Sequence, residues 1–545
     1  MPPRSSRQPN VLFIMTDQQR FDTIAAAGYP WMQTPNLDRL VKEGCLFRNA
    51  YTTNPICVPA RYDLLTGRNG RAHGHFDNAS TLLDEGLPTF PRVFSENGWR
   101  TAVIGKCHFT PQTAHHGYQE ARFMEELPER FENDAYLQYL RDQGHGDLQN
   151  IHGIRILAYH EAQKALVPDE DLGPYWLAKR AEEWIDKNGD RPFLLTLGWI
   201  KPHPPWNIPE SKKGIYADAD LPEPLEKSRD LPYTAKDSDL YGDFDTPEQK
   251  RKIREAYFES VTMVDEAFGK VLAALERNGI LDNTVIIYTA DHGEMLQDKG
   301  FYQKTLPYES SCRIPLIVRW QEKFKPGSTS EEFVDLLDIF PTLLDIAGIN
   351  LEYKPSFKGA KLDGESLLSG KSDKRKIQYA HTCQGRYRWV MTRDERYKYI
   401  YYFAGGHEYL YDLKNDPAEK SNLLGAPGCP QAVYRKLKAE AVKRENEYGP
   451  AGTVKGGEFV PEASSAHPGF DWNNGEKYPR WCFSAFQKFG QQSSAEQAKI
   501  FLDEFVKSRD TQAPFHCPPE AKEMFLHAYK DLWGTDPAEL EKLLD

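Results

Sequence analysis

The chain has 545 residues, 40% of them hydrophobic and 27% charged, with a formal net charge of −12. That length exceeds one ordinary domain, and the composition suits a packed globular protein with no compositional case for disorder. The acidic balance argues against a nucleic-acid partner, whose phosphates need clustered Lys and Arg, and no stretch approaches the roughly 20 apolar residues of a membrane span.

Met1 to Asn10 is basic and polar, and the first apolar run, Val11 to Met15, is too short for a signal peptide, so cytoplasmic residence is expected. That run reads as a fully buried strand ending in Thr16-Asp17-Gln18-Gln19. Its carboxyl edge is where open α/β sheets hold ligands. A helix is predicted over Leu37–Glu43, and a second from Pro59, tolerated in a first turn, to a C-cap at Gly67. Cys57 then stands at a helix N-terminus, where N–H groups and the dipole hold an oxyanion and lower a thiol pKa, with Arg61 on the same helical face. Arg71 to Ser80, with His73, His75 and Asn78, reads as an exposed polar loop.

Three further apolar runs each deliver reactive side chains at the same end. Thr101–Ile104 precedes Gly105-Lys106-Cys107-His108, Phe193–Ile200 precedes Lys201-Pro202-His203-Pro204, and Thr284–Thr289 precedes Asp291-His292-Gly293. A long helix is predicted over Lys252–Leu275, and segments 120–190 and 205–250 read as peripheral insertions. After about residue 375 come short aromatic strands, Arg388–Thr392, Tyr397–Phe403 and Glu408–Leu413. The predicted fold is therefore α/β: a large, mostly parallel sheet flanked by helices over residues 1–374, a small α+β subdomain with a short antiparallel sheet over 375–450, and an extension over 451–545 that closes in one amphipathic helix, 519–544, and serves as an oligomerisation arm. The eight cysteines, at 45, 57, 107, 312, 383, 429, 482 and 517, are spaced singly, so neither a zinc cluster nor a disulfide framework is signalled and most are read as apolar fillers.

From the residues alone, Cys57 is either a buried cysteine before an ordinary helix or a nucleophile on an anion-binding one. Asp17, Gln18, Asp291 and His292 form either an oxygen-rich divalent site or a set of helix caps. The run Cys57-Val58-Pro59-Ala60-Arg61 followed by Leu64-Leu65-Thr66-Gly67-Arg68 resembles the C-x-P-[SA]-R and L-[TS]-G-R signature of sulfatases in the alkaline-phosphatase-like superfamily. A Cys-phosphatase loop needs five residues between Cys and Arg, and this sequence has three. The resemblance extends from Asn10 to about Leu424, through Gly105-Lys106-Cys107-His108, His203 between prolines, and Lys304 with Tyr308-Glu309 and Arg313-Ile314-Pro315-Leu316.

The resemblance implies a hydrolase of sulfate monoesters in which a sulfatase-maturing enzyme converts Cys57 to Cα-formylglycine, whose hydrate attacks sulfur. It implies metal ligation by Asp17, Gln18, the residue-57 side chain, Asp291 and His292, with Ca2+ the family default and Mn2+ or Mg2+ as alternatives. Gln18 resembles choline sulfatases and phosphonate monoester hydrolases, as does Asn78, which matches a pocket residue of choline sulfatases. Arg61 belongs to the nucleophile loop, Lys106 and Lys304 are the implied sulfate clamp, His203 with Lys304 protonates the departing alcohol, and His108 accepts the proton that releases sulfate. The substrate is a small-molecule or saccharide sulfate ester, with Trp206 and Tyr233–Phe244 as candidates for recognising its alcohol, and a homo-oligomer is expected. Two alternatives remain: a phosphonate monoester or phosphodiester hydrolase, against which Lys106 and His108 weigh, and a silent anion-binding relative with unconverted Cys57.

Overall fold

A computed structural model describes residues 8–78, 81–226, 246–351, 360–369, 375–383, 388–462, 493–509 and 519–544. Strand β1, Asn10–Asp17, is buried along its whole length. Leu12 and Ile14 join the core on one face, and Val11, Phe13 and Met15 join the core on the other. This alternation follows from the pleat of a strand covered on both sides. Around it lie β2 (Cys45–Tyr51), β3 (Arg100–Gly105), β4 (Glu120–Phe123), β5 (Phe193–Pro202), β6 (Thr284–Ala290), β7 (Leu316–Arg319) and β8 (Ser328–Asp335). The order is β8-β2-β7-β6-β1-β5-β3-β4, parallel throughout except for β7, which opposes both neighbours. The expected large, mostly parallel sheet is thus present.

The sheet is flanked by α1 (Pro35–Glu43), α2 (Cys57–Thr66), α3 (Gly173–Asn188) and α4 (Pro247–Arg277). Helices α1, α3 and α4 supply one core and α2 the other. Helix α4 begins on a reciprocal cap: Thr246 Oγ1 accepts the Gln249 N–H at 3.2 Å and Gln249 Oε1 accepts the Thr246 N–H at 2.9 Å. Segment 120–190, expected to be peripheral, instead supplies edge strand β4 and core helix α3. In α3, Trp176, Leu177, Ala181, Trp184 and Ile185 are buried, and the interleaved Lys179, Arg180, Glu182 and Glu183 obscure that stripe in the sequence.

The aromatic strands form the second sheet, an antiparallel meander of β9 (Gln378–Thr382), β10 (Trp389–Arg393), β11 (Tyr397–Tyr402) and β12 (His407–Asp412). Helix α5 (Gln431–Tyr448) covers one face. The other face packs Trp389, Met391 and Ile400 on Tyr51 and Phe333 of the large sheet. Within this joint Lys398, fully buried, contacts Glu309 Oε1 at 3.0 Å and Glu419 Oε1 at 2.9 Å, and Arg393 meets Glu309 at 3.0 Å. The extension contributes α6 (Ser494–Ser508), α7 (Pro519–Trp533) and α8 (Ala538–Leu544). The single closing helix expected over 519–544 is two helices, because Gly534 takes φ 62 in the left-handed region and Pro537 follows.

Removing one partner of a buried ion cluster leaves the others uncompensated. Lys398→Met is expected to lower unfolding stability by about 3 kcal/mol or more, read as a fall in the urea midpoint with the slope unchanged; an unaltered midpoint would mean that the joint does not depend on this charge.

Candidate active site

Strand order turns four distant stretches of sequence into one edge. At the carboxyl ends of the adjacent strands β6, β1, β5 and β3 stand, in that order, Asp291 with His292, Asp17 with Gln18, His203, and Lys106 with His108. Close strand contact beside Lys106 depends on glycine: the Lys106 N–H donates to Gly198 O at 2.8 Å, and a Cβ on Gly198 would lie 2.2 Å from Lys106 O.

Helix α2 brings the nucleophile position to this edge. Cys57 is its first residue, and the preceding Ile56 offers no capping side chain. Asn78 supplies the cap from the neighbouring loop, its Oδ1 accepting the Val58 N–H at 3.0 Å. The helix ends at Gly67, φ 64, where a Cβ would lie 2.9 Å from Leu362. Cys57 Sγ lies 3.2 Å from His292 Nε2 and 3.8 Å from Asp17 Oδ1. Burial and the Asp17 carboxylate oppose ionisation of this thiol, but Lys304, Lys106 and His292 outweigh them and bring its pKa down to about 6.

Arg61, four residues along α2, ties the two acidic strand ends together. Its Nη2 lies 3.0 Å from Asp17 Oδ2 and 2.9 Å from Asp291 Oδ2, its Nε donates to Asp291 Oδ2 at 3.0 Å, and its Nη1 donates to Lys106 O at 3.0 Å. Lys106 Nζ reaches the same Asp17 Oδ2 at 2.6 Å. Ligand atoms of Asp17, Cys57, Asp291 and His292 all lie within 4.8 Å of one another, and all four residues are buried. His292 Nδ1 lies 3.0 Å from Gly293 O, an acceptor only, which places a proton on Nδ1 and turns Nε2 toward the cluster; against the effect of burial, Asp291 and Cys57 push the imidazole pKa up. Burial and the neighbouring Asp17 push the Asp291 carboxyl pKa up, against the pull of His292 and Arg61. Oxygen donors with one oriented imidazole fit a divalent metal ion.

Gln18 uses its backbone N–H on Asp291 Oδ1 at 3.0 Å, while its carboxamide oxygen accepts Lys304 Nζ at 2.8 Å and its nitrogen donates to Glu294. Lys304 Nζ also lies 3.3 Å from His203 Nε2. The Pro204 carbonyl 2.5 Å from His203 Nδ1 fixes the proton on that nitrogen, so Nε2 accepts from Lys304. Burial and the Lys304 ammonium hold the His203 pKa well below its usual value. His108 takes φ 59 and is neutral for the same kind of reason, burial and Lys106 lowering its pKa to about 3. Among the described residues its buried Nδ1 has no hydrogen-bond partner.

Three acids at this edge escape sequence reasoning. Glu125 Oε1 accepts the N–H groups of Cys107 and His108 at 2.8 and 2.9 Å and holds the loop that carries them. Glu126 Oε2 accepts Lys106 Nζ at 2.6 Å and lies 3.5 Å from His203 Nε2, while its other oxygen meets Arg155. Glu294, fully buried, has its pKa raised to about 7, with burial the main cause. The usable signal is register: Gly105 pairs with Phe123, so residues 124–126 must leave β4 beside Lys106. Other placements differ from expectation. His73 and His75 are buried, not exposed, because His73 Nε2 pairs with Asp63 Oδ1 at 2.7 Å and the His75 ring stacks on Tyr62 with centroids 3.6 Å apart. Trp206 is wholly buried, its Nε1–H donating to Pro202 O at 2.7 Å. Tyr233–Phe244, Cys482 and Cys517 lie outside the described residues.

The family described as Sulfatase matches residues 9–349, and the family described as N-sulphoglucosamine sulphohydrolase, C-terminal, matches residues 297–447. The chain is 30% identical over 446 residues to an arylsulfatase of Clostridium perfringens, covering 77% of this chain and 91% of that protein. It is 29% identical over 436 residues to a choline-sulfatase of Rhizobium meliloti, covering 78% and 84%. The solved phosphonate monoester hydrolase of Agrobacterium radiobacter superposes with a TM-score of 0.68 at 25% identity, covering 81% of this chain and 96% of that one.

Arg61→Met removes the positive charge between Asp17 and Asp291. With a chelator present the variant is expected to be less stable than the parent by about 3 kcal/mol, and added Ca2+ should raise its Tm more than it raises the parent's, because a bound cation replaces the missing charge. Equal Tm values with chelator would show that the guanidinium is not balancing the two carboxylates.

Proposed function

Because the chain belongs to the sulfatase family, we propose that it hydrolyses sulfate monoesters to an alcohol and inorganic sulfate with a formylglycine made from Cys57 as the nucleophile-bearing residue. The observation that carries this reading is the position of Cys57: first residue of α2, inside a buried cluster with Asp17, Asp291 and His292, and drawn toward ionisation by Lys106 and Lys304. Maturation would require a formylglycine-generating enzyme as partner. When present, the aldehyde hydrate supplies two hydroxyl groups, one for attack and one for release. Asp17, Asp291, His292 and the residue-57 side chain would hold one divalent ion, without the expected Gln18, whose side-chain oxygen accepts Lys304 Nζ at 2.8 Å; the ion would be Ca2+ by the hardness of most donors, supplying positive charge to polarise a sulfate oxygen.

The chain's own residues then divide the remaining work. Lys106, held by Asp17 and Glu126, presents fixed positive charge to a monoanionic sulfate ester. His108 carries an unsatisfied Nδ1 available to the incoming ester or the departing sulfate. Lys304, held between Gln18 Oε1 and His203 Nε2, carries the proton that the departing alkoxide needs, and neutral His203 orients it. This sharpens the expected division of labour, in which His203 with Lys304 protonates the departing alcohol. The match to a phosphonate monoester hydrolase supports a second reading, hydrolysis of phosphonate monoesters by the same residues.

Two experiments test these statements. With matured enzyme, kcat/KM for p-nitrophenyl sulfate is expected to exceed that for a phenylphosphonate ester, and Cys57→Ala to abolish both; the reverse preference would favour the second reading. Lys304→Ala is expected to cost about 100-fold on an alkyl sulfate, within the usual worth of general acid catalysis, but much less on p-nitrophenyl sulfate, whose leaving group needs no proton. Equal losses on both would remove Lys304 from that role.

A further inference from the structure

The described aromatic residues of the extension pack inside the same chain. Phe501, Phe505, Tyr529 and Trp533 enclose Ile154 and Leu157 in a separate apolar cluster. Two polar anchors flank that contact. The Glu504 carboxylate, buried on α6, accepts the backbone N–H of Gln149 at 2.7 Å and of Asn150 at 2.9 Å, and the Asn150 side chain at 2.6 Å. Just past the helix, Arg509 makes a two-pronged pair with Glu161, Nε to Oε2 at 2.7 Å and Nη2 to Oε1 at 2.5 Å, and forms a β-bridge with Gln163. Both members of that pair are buried, so the geometry is of the strong, charge-assisted kind.

Between the anchors, residues 151–160 run alongside the site. Arg155 reaches Glu126, the acid that also holds Lys106, and donates to Pro204 O at 3.1 Å, beside His203. The Tyr159 hydroxyl accepts from Gln18 Nε2 at 3.4 Å, and its ring meets Trp206 and Tyr302. Tyr159 takes φ 76, a left-handed conformation that a tyrosine adopts only when its surroundings impose it. Within the segment itself, Gln163 satisfies both Ile154 backbone groups, at 2.7 and 2.9 Å. The restraint thus comes from α6 on one side and the sheet edge on the other.

We infer that the extension is an intramolecular staple for the active site: Glu504 and Arg509 are positioning residues that hold the 149–163 segment so that Arg155 and Tyr159 form the wall against which the alcohol part of the substrate lies. This rests on the proposed hydrolase activity for its kinetic consequence but not for its structural one. The described anchors of the extension act on residues 149–163, so their contribution is to binding the ester in one pose, and it should fall on KM.

The test uses the full-length matured protein and p-nitrophenyl sulfate. Arg509→Glu and Glu161→Arg should each raise KM by about fivefold or more with kcat within about twofold, and the double variant E161R/R509E should return KM to near the parent value, the signature of a direct pair. Single variants that change only Tm, or a double variant no better than either single, would overturn the proposal. Hydrogen exchange supplies a readout independent of turnover: Glu504→Ala should remove protection at Gln149 and Asn150 and carry the loss through Arg155 to Tyr159, whereas loss confined to 149–150 would overturn the staple. If the parent shows no sulfatase activity, the functional reading fails while the exchange experiment still decides this one.

Discussion

The guanidinium of Arg61 lies between Asp17 and Asp291, two carboxylates delivered by neighbouring parallel strands to one sheet edge. Uncompensated, two buried anions this close would cost several kcal/mol, and one would take up a proton instead. Arg61 and Lys106 hold one oxygen of Asp17, and Arg61 holds one of Asp291, whose other oxygen accepts the backbone N–H groups of Gln18 and His292. The positive groups must come from elsewhere in the chain, and they do: α2 brings Arg61, β3 brings Lys106, and the loop after β6 brings Lys304. Every other feature of the site is arranged around this balance.

The same helix that carries Arg61 begins at Cys57, so one rigid element fixes both the charge between the acids and the distance of the reactive position from them. Three turns of helix, ended by a left-handed glycine at 67, are enough to couple the two. A second tier of acids completes the balance on the cationic side. Glu126 draws Lys106, Arg155 and the His203 ring toward one point, and Glu294 holds Gln18 so that its carbonyl oxygen meets Lys304. The site is thus alternating charge in a dry environment, in which hydrogen-bonded side chains are strongly oriented.

Much of this was legible in the sequence because parallel strands buried on both faces read as continuous apolar runs, and their last residues mark the ligand edge. Asn10–Met15, Thr101–Ile104, Phe193–Ile200 and Thr284–Thr289 all lie within observed strands, and Asp17, Lys106, His108, His203, Asp291 and His292 all stand at their ends. Edge strands were harder: β8 begins Ser328-Thr329-Ser330-Glu331-Glu332, polar because one side faces no neighbour. Glu125, Glu126 and Glu294 were not legible because their role depends on register and on which cation stands opposite, neither of which a run of charged residues encodes. His73 and His75 misled because burial by stacking and by pairing with Asp63 leaves no periodic trace. The extension's aromatic residues suggested a contact surface, and Phe501, Phe505, Tyr529 and Trp533 found their partner in Ile154 and Leu157 of the same chain.

Charge balance, helix and strand edge converge on residue 57, on whose proposed conversion from thiol to aldehyde turnover would depend. The direct measurement is peptide mass spectrometry of the Cys57 segment across preparations co-expressed with varying amounts of a maturing enzyme, alongside sulfate release from p-nitrophenyl sulfate. Activity should be proportional to the converted fraction, with none from protein that retains the thiol; full activity in a preparation whose residue 57 is entirely cysteine would contradict a role for the aldehyde.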